Sequence, residues 1–191
     1  MKHRAWGLIA LVALPAVAFA QKSPEPPATP SEPVSHGASL RGRAAIEGTV
    51  AIGVEAEDFE LDGSRGVPVK LSRLRGDWVL LAFSDRKERL AELRTLDQRI
   101  ARLGARLVGI CHEMPGPVQS YAERDSIPFL ILADYTGEIS GLYGLYDHQH
   151  SQTVPGYLML DRHGRIRMAL LGEPMPPDDL ARLVQATVTG L

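Results

Sequence analysis

The sequence predicts an α/β fold, a central mixed sheet with helices on both faces, and three observations carry that prediction. Val79-Leu80-Leu81-Ala82-Phe83 is an unbroken apolar run without alternation, the pattern of a strand buried on both sides. A helical stripe follows it, Leu90, Leu93, Leu96, Ile100 and Leu103, at spacings of three and four. A second apolar run, Leu107-Val108-Gly109-Ile110-Cys111, comes directly after. A helix between two buried strands makes them parallel neighbours by a crossover connection.

The elements are taken in chain order. Lys2, His3 and Arg4 precede an apolar stretch from Ala5 to Phe19, and Ala18-Phe19-Ala20 gives a small-x-small pattern before Gln21. Residues 1–20 therefore read as a cleaved export signal, too short and too interrupted by Pro15 for a membrane span. The expected location is periplasmic or secreted, with no stable membrane anchor after cleavage. Residues 21–40 form a proline-rich linker, with Pro24, Pro26, Pro27, Pro30 and Pro33 among Ser, Glu, Ala and Thr; such a composition has too little apolar surface to offset folding entropy. Residues 41–191 are left for one domain.

Loss of Lys2 and Arg4 leaves 19 basic against 23 acidic residues, a formal charge of −4. An acidic domain without a basic cluster is not built to bind nucleic acid. The single cysteine, Cys111, excludes an intramolecular disulfide in an oxidising compartment.

Within the domain, about Val50 to Leu71, cut by Gly53, Gly63, Gly66 and Pro68, reads as a small hairpin at the sheet edge, and Leu71 to Gly76 as one helical turn closed by glycine. The Trp78 to Phe83 strand runs into a helix over Asp85 to Leu103, where Asp85 and Glu88 have the spacing of a capping box and Gly104 a stop. Pro117 to Arg124 reads as a helix, Phe129 to Leu132 as a short strand and Gly137 to Tyr143 as a helical turn. Tyr157 to Leu160 and Arg165 to Leu170 make a hairpin about Asp161-Arg162-His163-Gly164. Pro176-Pro177-Asp178-Asp179 opens a last helix with Leu180, Leu183, Val184, Thr187 and Val188 facing inward.

This order of elements is that of a thioredoxin-like fold, and the residues are closer still to one branch of it. Ala56-Glu57-Asp58-Phe59-Glu60-Leu61 and Val69 to Phe83, then Val108-Gly109-Ile110, Ile127 to Asp134, Tyr143-Gly144 and Tyr157 to Ile166, resemble successive blocks of the peroxiredoxins, the alkyl hydroperoxide reductase and thiol-specific antioxidant family. The resemblance spans roughly Val54 to Leu171. It implies thiol-based antioxidant or oxidoreductase chemistry at a corner formed by Ser84, Asp85 and Glu88 on one side and Val154 and Pro155 on the other. Thr153-Val154-Pro155 resembles the loop whose proline is cis in thioredoxin relatives.

The family's catalytic residues do not carry over. Where the resemblance implies Thr-x-x-Cys, this chain reads Ser84-Asp85-Arg86-Lys87-Glu88-Arg89-Leu90, and Val154-Pro155-Gly156 stands where the family has an arginine. The expectation is a degenerate member with a binding or accessory role toward a protein or thiol partner. Two alternatives remain open. Cys111, at the end of the second central strand, could act as a single-cysteine thiol peroxidase or oxidoreductase if a cation lowered its pKa, with an external thiol resolving it. Asp147-His148-Gln149-His150 places two histidines where they could take copper or another soft metal together with Cys111; Tyr146-Asp147-His148 also resembles the copper-delivery proteins of cytochrome oxidase assembly. Phosphate-binding glycine loops, zinc spacing and a Ser-His-Asp context are absent, so no other cofactor is expected.

Overall fold

The computed structural model describes residues 50–172 and 174–190. The expected signal, the linker and the first residues of the domain lie outside the described residues. No helix among the described residues is long and apolar enough to cross a membrane.

The hairpin is β1 (Glu60–Gly63) and β2 (Pro68–Lys70), followed by a 3-10 turn over Leu71–Leu74. Then come β3 (Trp78–Ser84), α1 (Lys87–Ala91), α2 (Arg94–Ala101), β4 (Ala105–Cys111), α3 (Pro115–Arg124), β5 (Leu130–Ala133) and α4 (Glu138–Leu142). A short ribbon of β6 (Tyr146–Asp147) and β7 (Gln152–Thr153) precedes β8 (Gly156–Leu160), β9 (Ile166–Leu171) and α5 (Pro177–Thr189). The seven-stranded sheet has the order β2-β1-β5-β4-β3-β8-β9. Its middle strands β3, β4 and β5 are parallel, and β1 and β8 run antiparallel to them.

Strand periodicity divides the core in two. Leu80, Ala82, Leu107, Cys111 and Ile131 pack with residues of α1, α2, α3 and α5 on one face. Val79, Leu81, Phe83, Val108, Ile110 and Leu132 pack on the other, under the 3-10 turn and the α4 region. Both apolar runs are buried on both sides, which is why they show no alternation. Gly109 is needed for the close packing of α1 on β4: a Cβ there would lie 2.7 Å from Leu90 Cδ1.

Two expectations are corrected. The single helix over Asp85 to Leu103 is two helices, interrupted at Glu92 and Leu93, and its cap is Arg86 without any side-chain cap bond. Short-range bonds at the junction, Leu93 N–H to the Leu90 carbonyl and Leu96 N–H to the Leu93 carbonyl, are of the 3-10 type. They have a reason in the stripe: Leu90, Leu93 and Leu96 repeat every three residues, which drifts off one line in an α-helix and stays on it in a 3-10 turn. All three remain buried. In α5 Leu180 and Val184 are buried and Val188 packs against the same core, as expected, joined by Ala181, whereas Leu183 is 38% exposed. Apart from the hairpin, whose strands begin only at Glu60, the remaining expected elements agree to within two residues at their ends; the β6–β7 ribbon was not among them.

Candidate functional site

The parallel strands β3, β4 and β5 end along one edge of the sheet, where open α/β sheets place ligands. Ser84 and Cys111 are register partners there, and Phe83 pairs with Gly156, which brings Pro155 to the same edge. Ser84 and Pro155, both expected at the corner, thus share this edge. Ser84 and Pro155 line one cleft of about 40 Å³ with Arg89, Glu92, Tyr157 and Met175. That is room for one or two waters. Val154 turns away from it and packs on the opposite core face, its N–H donating to the Leu145 carbonyl at 2.7 Å.

The corner is chemically quiet. The buried Ser84 hydroxyl donates to the Arg86 carbonyl at 2.9 Å, and its contact with Asp85 Oδ1 is long, at 3.4 Å. Among the described residues no histidine hydrogen-bonds to it, so no base there raises the nucleophilicity of the hydroxyl. Asp85 instead pairs with Arg89 at 3.1 Å and Arg86 at 3.5 Å. Glu88 is mostly exposed and approaches Lys87 at 3.6 Å. A shorter ion pair, Lys87 to Glu113 at 2.6 Å, ties the start of α1 to the loop after β4 and holds the lysine pKa above its ordinary value through that hydrogen bond. Twenty-six positions separate the two residues, and nothing in either local sequence marks them as partners.

Cys111 lies beneath this layer with no exposed surface. Its Sγ reaches only the Leu132 carbonyl, at 4.0 Å. Burial pushes the thiol up to about 12; Glu113, Glu88 and Asp134 add to the shift, and Lys87 alone opposes it. The thiolate, which is the nucleophile, is thus a negligible fraction at neutral pH. The one lysine whose charge favours the thiolate is paired with Glu113.

The histidine loop is the β6–β7 turn. His150 Nδ1 lies 2.6 Å from Asp147 Oδ2, and the same carboxylate accepts the Gln149 N–H at 2.8 Å. His148 sets its ring edge-on to Tyr146, at 5.0 Å between centroids, and Tyr146 does the same to His112 at 5.4 Å. Asp147 therefore engages His150, and Cys111, fully buried, is sealed from both histidines. Among the described residues no group of three or more His, Cys, Asp or Glu side chains is placed to hold a metal ion.

One cluster was not anticipated. Asp134, fully buried at the end of β5, accepts the Ile139 and Ser140 N–H groups and the Ser140 hydroxyl at 3.3, 2.7 and 2.7 Å. The Ser140 hydroxyl in turn meets Thr153 Oγ1 at 2.9 Å. This network fastens α4 to the β6–β7 ribbon immediately before Pro155. Asp134 followed by a glycine-led helical turn was a readable capping signal; the Thr153 partner was not.

Comparison with known proteins agrees with this architecture. The chain is 23% identical over 130 residues to Peroxiredoxin Bcp of Bacillus subtilis (strain 168), covering 62% of this chain and 83% of that protein. It is 24% identical over 169 residues to the chloroplastic Peroxiredoxin Q of Sedum lineare, covering 80% and 90%. Among solved structures, Peroxidoxin BcpB from Mycobacterium tuberculosis superposes with a TM-score of 0.64 at 22% identity, over 73% of this chain and 97% of that one. The AhpC/TSA family matches residues 52–169, more than half of the chain. Together with the seven-stranded sheet and the strand-end corner, that match shows that this chain belongs to the AhpC/TSA, or peroxiredoxin-like, family of thioredoxin-fold proteins.

Proposed function

We propose that this chain is an exported, periplasmic or secreted, member of the family that has lost peroxidase chemistry and serves a binding or accessory role in thiol-based redox. The observation that carries the reading is the inversion at the sheet edge. Ser84 and a charged cap stand where the resemblance implies the nucleophilic cysteine. The one thiol in the chain is buried at the end of the neighbouring strand and pushed up to about 12. A cycle of thiolate attack and reduction needs a thiol that ionises and meets solvent, and Cys111 does neither.

The test is peroxide consumption by the full chain with a dithiol reductant. The expected rate equals that of buffer and is the same for Cys111→Ser. Peroxide turnover that disappears in Cys111→Ser would sink the proposal and restore a single-cysteine enzyme. Export is checked separately: protein recovered from the periplasm or medium should begin at Gln21.

A further inference from the structure

We propose that the groove between α4 and the β6–β7 ribbon binds a basic side chain, arginine or lysine, presented by a segment of a partner polypeptide. The groove has a volume of about 500 Å³ and is lined by Thr136, Gly137, Glu138, Gly141, Tyr146 and His148, with Ser151 at its rim. Glu138 is the one residue of this lining with a formal charge at neutral pH. Its carboxylate has no hydrogen bond or ion pair among the described residues. No lysine or arginine lines the groove.

The floor offers nothing to an anion. The N–H groups that open α4 are already engaged, Gly137 with the Asp134 carbonyl, Glu138 with Thr136 Oγ1, and Ile139 and Ser140 with the Asp134 carboxylate. The wall is aromatic: Tyr146 lies so close over Gly137 that a Cβ at that position would meet its ring at 2.1 Å. Aromatic faces beside a free carboxylate suit a guanidinium or ammonium, which gains from the ring quadrupole and the ion pair together.

The occupant is a polypeptide because the surface continues beyond the groove. The edge-to-face rings of His148, Tyr146 and His112 lead to Tyr135, whose carbonyl contacts His112 Nε2 at 2.9 Å. Tyr135 is 54% exposed, and Met114, two residues after His112, is 56% exposed. Tyrosine and methionine are enriched in protein interfaces, and this strip is longer than one side chain requires. The proposal goes beyond the accessory role above and does not depend on it; its test uses no peroxide, so the two can fail separately.

The isotope-labelled full chain would be titrated, by nuclear magnetic resonance, with a blocked pentapeptide containing two arginines around a leucine. The control is the same peptide with neutral citrulline in place of arginine. The arginine peptide should move the amide signals of Glu138, Gly141, Tyr146 and Ser151, and the citrulline peptide should not. Glu138→Gln should weaken binding by about threefold to tenfold and Glu138→Lys should abolish it. Because this carboxylate has no structural partner, both variants should melt like the parent. Equal response to the citrulline peptide, or unchanged affinity in Glu138→Gln, would overturn the assignment. Tetramethylammonium binding as tightly as the peptide would overturn the polypeptide as occupant.

Discussion

The corner at the end of β3 and the groove beside α4 lie along the same edge of the sheet, yet they treat charge in opposite ways. At the corner, Asp85 pairs with Arg89, Lys87 with Glu113, and the Ser84 hydroxyl with a main-chain carbonyl. At the groove, the Ile139 and Ser140 N–H groups are taken up from beneath by Asp134, while the Glu138 carboxylate at the surface has no partner among the described residues. Charges that are paired cancel locally, and their partners must be displaced before a ligand can use them; a free carboxylate beside aromatic rings is available at once. The corner that the family resemblance singles out is thus stabilised, and the capacity to bind lies a strand or two away.

That contrast can be broken from the groove side first. Asp134→Ala would leave two N–H groups and a hydroxyl without their acceptor in a fully buried place. A loss of about 2–4 kcal/mol is expected in denaturant unfolding, with amide exchange accelerating in α4 and the ribbon before it does in β3. A uniform loss of protection across the sheet would mean that the groove and the corner are one cooperative unit.

A smaller effect is expected beneath the corner. Cys111→Ser puts a hydroxyl where only a 4.0 Å carbonyl contact exists, and a cost of about 1–3 kcal/mol follows from burying an under-satisfied polar group. The native thiol should also resist an aromatic disulfide reagent at pH 8 and react stoichiometrically once the chain is unfolded. Rapid labelling of the folded protein would show that Lys87 and Glu113 open the way to it.

Smallest of all is Lys87→Met, which removes the paired cation over Cys111. The partly exposed pair is worth about 0.5–1 kcal/mol. The sign of its pH dependence is fixed by the raised lysine pKa. The contribution is complete below the unfolded value, ordinarily near 10.4, and is lost as pH rises through the higher folded value. The parent should therefore lose stability relative to the variant only in strongly alkaline solution, and a difference that vanished below pH 8 would refute the pairing.

Much of this fold could be read from the chain. The runs Val79 to Phe83 and Leu107 to Cys111 announce doubly buried strands because burial on both faces removes alternation, and the stripe between them dictates a crossover. The corner was legible for the same reason, since strand ends follow from strand identities. The interruption at Glu92 was not, because a repeat of three and a repeat of three and four differ little over so short a stretch. Nor were the pairs Lys87 to Glu113 and Ser140 to Thr153, whose members meet only when separate strands are laid side by side.

Composition and pattern by themselves determined the α/β class, the order of the elements and the missing nucleophile at the end of β3, because these depend on local periodicity and on which residue types are present. The state of Cys111 was decided only by tertiary structure. A cysteine closing a strand is open or sealed according to what packs over it, and here Leu90 and Val118 share its core face while the Lys87 and Glu113 pair lies above. That the Glu138 carboxylate has no partner among the described residues was decided in the same way, since pairing depends on which charges the fold brings near it.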